Sequence, residues 1–232
     1  VDVLTGELSF SSLPNMNGAV TLTVLLKDDG GTDNGGSDES DQTSLSVVIN
    51  PLNDSPVNTV TPVISGLPKV TLDVQSDFGT WNDDLDTLIS GSSEITSAVQ
   101  WQYADDEFGT NLETILGAEN ETYSITSDQA HKFIRSLVTA TDDGVGEPEN
   151  QSEVAYSDFT EVLNTDPAIS LPDSILLTED QISSNDFSTF IIDVDLDPVA
   201  LASSGSEHVV VTIAGFDVTF TPGENWNGSE VI

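Results

Sequence analysis

Three aspartates alternate along a short run near the end of the chain, at Asp193, Asp195 and Asp197. In an extended strand, alternate side chains lie on one face about 6.6–6.8 Å apart, so this spacing predicts three carboxylates that point the same way. That geometry is repulsive without a cation, but it offers the hard oxygens that Ca²⁺ binds, about six to eight of them at about 2.3–2.6 Å. The run is the sharpest candidate cation site in the sequence.

The remaining acidic residues are spread more evenly. Residues 28–41 form a second cluster of acids and glycines, which occurs once and lacks the helix-flanked pattern of an EF-hand, so a hairpin loop is the favoured interpretation. For any single aspartate or glutamate, the alternative to metal binding is a solvated surface, because charge runs are usually solvated faces.

The charge balance excludes several partners. The 232-residue chain has 4 Lys and Arg residues against 41 Asp and Glu residues, which gives a formal net charge of −37. Nucleic acids and anionic membrane surfaces are bound through basic patches, which four scattered cations cannot form. No apolar run approaches membrane-spanning length. We expect no nucleic acid binding and no membrane insertion by this segment.

Few residues are available for catalysis. Cysteine is absent, and the two histidines, His131 and His208, lie in or beside apparent strands, where surface or edge positions are expected. The sequence contains no nucleophile elbow, phosphate-binding glycine loop or His-Glu-x-x-His motif. Its many carboxylates do not single out one acid/base pair. The sequence therefore predicts a protein that is not an enzyme.

Alternation of apolar and polar residues predicts an all-β fold. The pattern is clear at residues 19–27, 45–49 and 216–220, and Ala214-Gly215 has the composition of a tight hairpin turn. One short helix-like stretch, at residues 83–89, could equally be a loop.

Two stretches rich in Pro, Asn and Asp follow strands directly and predict connections between domains. The first junction is at residues 50–56 and the second is at residues 164–167. They divide the chain into an N-terminal segment (1–55), a middle segment (56–164) and a C-terminal segment (165–232).

An internal repeat relates the two outer segments. Residues 9–11 and 15–18 align without a gap to residues 219–221 and 225–228, at a constant offset of 210 (219 − 9 = 225 − 15 = 210). The alignment predicts two partial copies of one module, one on each side of the middle segment. We expect the first copy to lack its opening strands and the second to lack its closing strands.

The C-terminal segment resembles bacterial cadherin-like tandem repeats, through Thr178-Glu179-Asp180, Ile192-Asp193-Val194-Asp195 and the run Phe220 to Gly228. Residues 19–56 resemble the end of such a repeat. The middle segment is similar to bacterial immunoglobulin-like modules, through Phe78 to Trp81, Val99 to Gln102, Ile115 to Ala118, Thr122-Tyr123 and Lys132 to Asp142. The resemblance implies tandem immunoglobulin-like and cadherin-like β-sandwiches, with the terminal ones truncated.

The middle segment departs from its family at two positions, since His131 stands where a glycine is usual and Gln129 where an acidic residue is common. Trp101 is expected to be the core tryptophan of the sandwich. Trp81 lies in a loop-like setting, where a surface role and a structural role are equally open.

The resemblance also implies a set of Ca²⁺ ligands at the junctions. In cadherins, a calcium cluster is shared by an Asn/Asp-rich linker and an Asp-x-Asp pair in the following module. Here Asn164 and Asp166 match the linker of the second junction, and Asp193 and Asp195 match the pair. The other candidates are Asp197 beside that pair, Asp142 and Asp143 from the preceding module, Asn53 and Asp54 at the first junction, and Glu179 for a further junction.

These features predict a non-catalytic extender of a large bacterial cell-surface or secreted adhesin, in which Ca²⁺ stiffens the junctions. Its partners would be neighbouring modules of the same chain and a host or surface glycan or protein. One alternative is glycan or protein recognition by the middle segment, through loops around Trp81 or residues 105–108. The other alternative is an accessory module of a secreted hydrolase.

Overall fold

The computed structural model describes residues 8–84, 94–144 and 146–232, and these form short antiparallel strands joined by turns. The all-β prediction is confirmed. Three single 3₁₀ turns interrupt the strands, at Asp33–Gly35, Ser127–Gln129 and Ser188–Phe190. The helix-like stretch predicted at residues 83–89 falls mostly outside the described residues.

The described part of the N-terminal segment contains a hairpin of β1 (Gly18–Val24) and β2 (Thr43–Ile49), which pair antiparallel along their whole length. Lys27 and Glu39 form an ion pair and a β-bridge at the base of the acidic loop, so the predicted hairpin is confirmed. A two-stranded hairpin covers little of its own surface. Several of its apolar side chains accordingly stay exposed, among them Val20 (50%) and Val48 (66%).

The described residues of the middle segment form two main sheets and a short strand pair. One sheet has the order β11-β10-β7-β8 with β12 also on β10, the second has the order β4-β5-β9, and β3 pairs with β6. The strands are β3 (Val57–Val60), β4 (Ile64–Gly66), β5 (Asp73–Ser76), β6 (Thr80–Asn82), β7 (Ile95–Ala104), β8 (Glu113–Thr114), β9 (Thr122–Ser124), β10 (Phe133–Asp142), β11 (Ser152–Tyr156) and β12 (Thr160–Glu161).

The core of the middle segment lies between these sheets. Val74 of β5 packs in one cluster with Val99, Trp101 and Val138 of β7 and β10. Trp101 is fully buried, and its indole Nε1 donates a 2.9 Å hydrogen bond to the Asn120 carbonyl oxygen, so its predicted core role is confirmed. Side chains of β10 alternate between buried and half-buried, as expected for a strand with one face on a core.

The C-terminal segment has a smaller core around Phe187, Val209, Val218 and Phe220. Its strands are β13 (Ala168–Ile169), β14 (Ser183–Asp186), β15 (Ile191–Ile192), β16 (Val209–Ala214) and β17 (Asp217–Pro222), in the orders β13-β15 and β14-β17-β16. The predicted hairpin joins β16 to β17, with Ala214 opposite Asp217. Gly215 adopts φ 65°, the left-handed conformation that such a turn requires.

The internal repeat is visible in the backbone. Asn15 and Asn225, which the 210-residue offset aligns, both have φ 55° in a turn. The residues before this turn are a strand in the second copy (β17) but not in the first, where residues 9–11 have no sheet partner among the described residues. The turn is therefore common to the two stretches, whereas the strand before it is present in the second stretch alone among the described residues.

Candidate cation sites at the two junctions

At the first junction, the linker side chain Asn53 is buried against the middle segment. Its Nδ2 donates a 3.0 Å hydrogen bond to Asp142 Oδ1, which also accepts a 2.8 Å hydrogen bond from the backbone N–H of Gln151. The Gln151 side chain donates back to the Asn53 carbonyl oxygen and accepts a 3.1 Å bond from the Ser55 hydroxyl. The linker is therefore held by a closed hydrogen-bond network.

The β10–β11 hairpin positions this network. Asp142 ends β10 and Gln151 precedes β11, and their backbones are joined by a 3.1 Å hydrogen bond. The linker packs beside the connecting loop, where Leu52 forms a parallel bridge with Glu147. A Cβ atom on Gly146, whose φ is 122°, would lie 2.5 Å from the Pro51 carbonyl oxygen, so only glycine allows the linker to approach this closely.

Two buried oxygen atoms at the first junction are not satisfied by hydrogen bonds within the described residues. Asn53 Oδ1 and Asp142 Oδ2 have no hydrogen-bond partner among the described residues, although the two side chains are only 2% and 4% exposed. Burying a charged or polar oxygen without a partner costs free energy. Both are hard oxygen donors of the kind that Ca²⁺ takes, so the chemistry of these two side chains is compatible with a calcium ion.

At the second junction, the run Asp193 to Asp197 is not a strand, and the prediction of three carboxylates on one strand face is wrong. β15 ends at Ile192, and Leu196 adopts φ 62°. Asp193 Oδ1 accepts hydrogen bonds from the backbone N–H groups of Asp195 (2.9 Å) and Asp197 (3.3 Å). An aspartate readily bonds to its own backbone two residues on, and here that bond folds the run into a turn.

This turn docks on the middle segment. Val194 packs against the core that contains Trp101. Asp195 is buried, and its Oδ2 accepts a hydrogen bond from the backbone N–H of the linker residue Thr165. Its Oδ1 is buried with no hydrogen-bond partner in the described ranges, as is Thr165 Oγ1. The second junction thus also contains buried oxygens that are not satisfied.

His131 reaches this turn from the middle segment. Its Nε2 lies 2.9 Å from Asp197 Oδ1. The preceding 3₁₀ turn is held by Gln129 Oε1, which accepts hydrogen bonds from the hydroxyls of Tyr123 (2.6 Å) and Thr126 (2.8 Å). Burial raises the pKa of Tyr123 above its ordinary value of 10.0, so this hydroxyl remains a donor at neutral pH. His131 has φ 57°, a left-handed backbone conformation that favours glycine.

The structure thereby assembles one mixed group at the second junction. Ligand atoms of His131, Asp195 and Asp197 all lie within 4.8 Å of one another, and it is the one group of three or more His, Cys, Asp or Glu residues at such spacing within residues 8–84, 94–144 and 146–232. Sequence reasoning missed His131 and Gln151. The replacement of an expected glycine by histidine was the one signal that could have pointed to His131.

The other predicted ligands are distributed as follows. Asp142, expected to complete the second junction, lies instead at the first, because β10 ends there. Asp54 is half-buried beside Asn53, and the exposed candidates are Asp143, Asn164, Asp166 and Glu179. Asp193 uses its Oδ1 within its own turn, and Asp166 lies outside the mixed group.

Trp81 does not present a free aromatic platform. It lies in β6, half-buried against the middle core, and its Nε1 donates a 2.8 Å hydrogen bond to the Phe78 carbonyl oxygen. The loop at residues 105–108 is closed by Asp106, whose Oδ1 accepts the N–H of Phe108 and lies 3.0 Å from it. Phe108 itself is 86% exposed.

Comparisons of the chain with known protein families, with curated proteins and with solved structures found no match. Within the described part of the chain, no helix is long and apolar enough to cross a membrane.

Proposed function

We propose that this chain is a non-catalytic extender segment of a large bacterial cell-surface or secreted adhesin, built of β modules joined end to end, in which Ca²⁺ fixes the first junction. The observation that carries the proposal is the buried network of Asn53, Asp142 and Gln151. It turns a linker that could hinge freely into one that is docked on the module that follows.

Asn53 and Asp142 would hold the ion through their two unpartnered oxygens, with the half-buried Asp54 close along the chain. Bound Ca²⁺ supplies the positive charge that this part of the chain lacks. The ion pairs of the described residues are Lys27–Glu39, His131–Asp197 and Lys132–Asp105, and none of them reaches Asp142. Calcium therefore complements a buried carboxylate that has no cationic side chain beside it.

The mechanical consequence follows from linkage. Because Asn53 belongs to the linker and Asp142 to the middle segment, an ion held by both binds only when the linker is docked. Such an ion stabilises the docked state by mass action. Without the ion, the acidic residues of a chain with net charge −37 repel one another, and the linker undocks more often.

Calcium is proposed for the first junction alone. Ca²⁺ takes oxygen ligands, whereas the mixed group at the second junction includes the imidazole nitrogen of His131. Recognition of glycan through Trp81 is not favoured, since its ring is half-buried and its N–H is already bonded.

The test compares two neighbouring aspartates that differ in burial, Asp142→Asn and Asp143→Asn. Calcium titration by calorimetry, at fixed ionic strength, is expected to show binding to the unmodified chain and to the Asp143 variant and at least about tenfold weaker binding to the Asp142 variant. Small-angle scattering with calcium and with chelator should show the more extended and uniform particle with calcium. Equal binding by both variants, or a response matched by monovalent salt, would refute the proposal.

A further inference from the structure

We propose that His131, Asp195 and Asp197 form a zinc site that clamps the C-terminal segment to the middle segment. The inference rests on the proposed function in taking the junctions as the points that cations fix. It uses different residues and a different metal from the calcium site of the first junction.

The first argument is geometric. The three ligand atoms lie within 4.8 Å of one another, and His131 Nε2 is 2.9 Å from Asp197 Oδ1. Zinc binds His nitrogen at about 2.0–2.1 Å and carboxylate oxygen at about 2.0–2.2 Å, so two ligands of one ion are separated by at most about 4 Å. Ligands around a tetrahedral zinc ion lie about 3.4 Å apart, so shifts of about 1 Å would bring all three atoms onto one ion.

The second argument is the unsatisfied carboxylate of Asp195. The residue is 6% exposed, its Oδ2 accepts the Thr165 N–H, and its Oδ1 is buried with no hydrogen-bond partner among the described residues. Lys132, which follows His131, is engaged with Asp105 and does not supply the missing charge. A buried oxygen that no side chain satisfies, inside a group with metal-ligand spacing, indicates a cation.

The third argument is the donor set. Imidazole nitrogen suits zinc and its neighbours among the transition metals, whereas Ca²⁺ takes oxygen ligands. Two carboxylates and a neutral imidazole balance the charge of one Zn²⁺. Three protein ligands leave a fourth position for water or for Thr165, whose Oγ1 is also buried without a partner in the described ranges.

The ligands come from both sides of the junction. His131 lies between the Ser127–Gln129 turn and β10, and the two aspartates lie in the turn that follows β15. The Asp193 carboxylate shapes that turn, and Val194 anchors it on the middle core. A cation bound here therefore resists separation of the two segments.

The experiment titrates Zn²⁺ into the 232-residue chain in competition with a chromogenic chelator. Asn tolerates a positive φ, so His131→Asn removes the ligand without demanding a new backbone conformation. His208→Asn is the matched control, because His208 is the other histidine of the chain and stacks on Trp226, with ring centroids 5.0 Å apart. We expect the unmodified chain to bind one zinc ion tightly. The His131→Asn and Asp195→Asn variants should bind zinc at least about tenfold more weakly, and the His208→Asn control should bind it as the unmodified chain does.

Nitrogen NMR of the imidazole rings provides a signal that would not change if zinc bound only to scattered acidic residues. Zinc is expected to shift the His131 Nε2 resonance and to leave His208 unchanged. Equal zinc affinity in the His131 variant, an unshifted His131 resonance, or displacement of zinc by an equal concentration of calcium would overturn the proposal. The Asp142→Asn variant separates the two ideas, because it is expected to lose calcium binding and to keep zinc binding.

Discussion

The two junctions hold their linkers through different contacts. In each, a linker group is bonded to a buried carboxylate: the Asn53 side chain to Asp142 at the first, and the Thr165 backbone to Asp195 at the second. At the first junction one carboxylate oxygen already accepts two hydrogen bonds from the protein. At the second, the outer contact is a His131–Asp197 pair whose side chains are 50% and 37% exposed.

This difference indicates that hydrogen bonds within the protein and a bound cation contribute unequally to the stiffness of the two junctions. The first junction is held by buried hydrogen bonds between residues that are distant in sequence, so we expect it to be docked for part of the time without a cation and to be fixed in the docked state by calcium. The second junction is held across the two segments by the packing of Val194 on the middle core and by the half-exposed His131–Asp197 pair, and such a pair contributes little in water. Its rigidity should therefore depend on a bound ion.

The largest effect is expected from Asp142→Ala. Removing this carboxylate leaves Asn53 Nδ2 and the Gln151 N–H buried without their acceptor, at about 1–3 kcal/mol for each donor. The matched change at the second junction, Asp197→Ala, breaks only a half-exposed pair, and about 0–1 kcal/mol is expected. Urea unfolding of the metal-free proteins measures both. Losses of equal size would mean that the two junctions do not differ in the way proposed.

The next effect is stabilisation by the two cations. At a free concentration about 100 times its Kd, either ion should raise the free energy of unfolding by about 2.7 kcal/mol. The two variants should respond oppositely to the two ions. Asp142→Asn should lose the stabilisation by calcium and keep the stabilisation by zinc, and His131→Asn should lose the stabilisation by zinc and keep that by calcium. Thermal melts of the three proteins with each ion provide the measurement. A variant that loses both responses would show that the junctions are not independent.

Sequence patterns correctly predicted the features of the fold that depend on short stretches of the chain. Alternation at residues 19–27 and 45–49 predicted the first hairpin, and the position of Trp101 predicted a buried tryptophan between sheets. These predictions succeeded because strand period and burial are properties of short stretches. Asn53 was identified as a ligand candidate, but its partner Asp142 lies 89 residues away, and a pairing at that separation is set by how the sheets pack.

The second junction shows where sequence reasoning failed and why. Alternation of Asp193, Asp195 and Asp197 is compatible both with a strand and with a turn, and the bond from Asp193 to its own backbone decides for the turn. Local spacing could not reveal that Val194 would dock on the middle core, nor that this docking would bring His131 beside Asp197. A site shared by two segments is defined by tertiary contacts, which a strand pattern does not contain.

A smaller effect is expected from the backbone of His131. Its φ of 57° strains a non-glycine residue, by about 1–2 kcal/mol in the general case. After the entropic cost of glycine and the loss of the half-exposed pair with Asp197, His131→Gly should stabilise the metal-free chain by about 0.5 kcal/mol. His208→Gly, at a residue without a positive φ, should not stabilise it. Urea unfolding without metal tests this prediction. A lower free energy of unfolding in the His131→Gly variant would show that the pair with Asp197 outweighs the backbone strain.

The smallest effect is the response of stability to acid at Glu230, which is not one of the candidate ligands of either junction. The Glu230 carboxylate accepts backbone N–H groups of Glu207, His208 and Val209, chiefly Glu207, and these bonds hold the pKa of Glu230 below its ordinary value of 4.5. A lowered folded-state pKa contributes stability above pH 4.5 that is lost as the pH falls through the folded value.

Glu230→Gln should therefore melt slightly below the unmodified chain at pH 7, and the two melting temperatures should converge as the pH falls below 4.5. The effect is small because the Glu230 side chain is only half-buried, so water screens its charge. Glu224→Gln, a change at an exposed neighbour, is the control. A difference that persisted at pH 3 would show that the side chain acts through its shape and not its charge. A difference that converges would mark the start of β16 as an acid-sensitive point independent of both junctions, so that any further acid response could be examined at the junctions themselves.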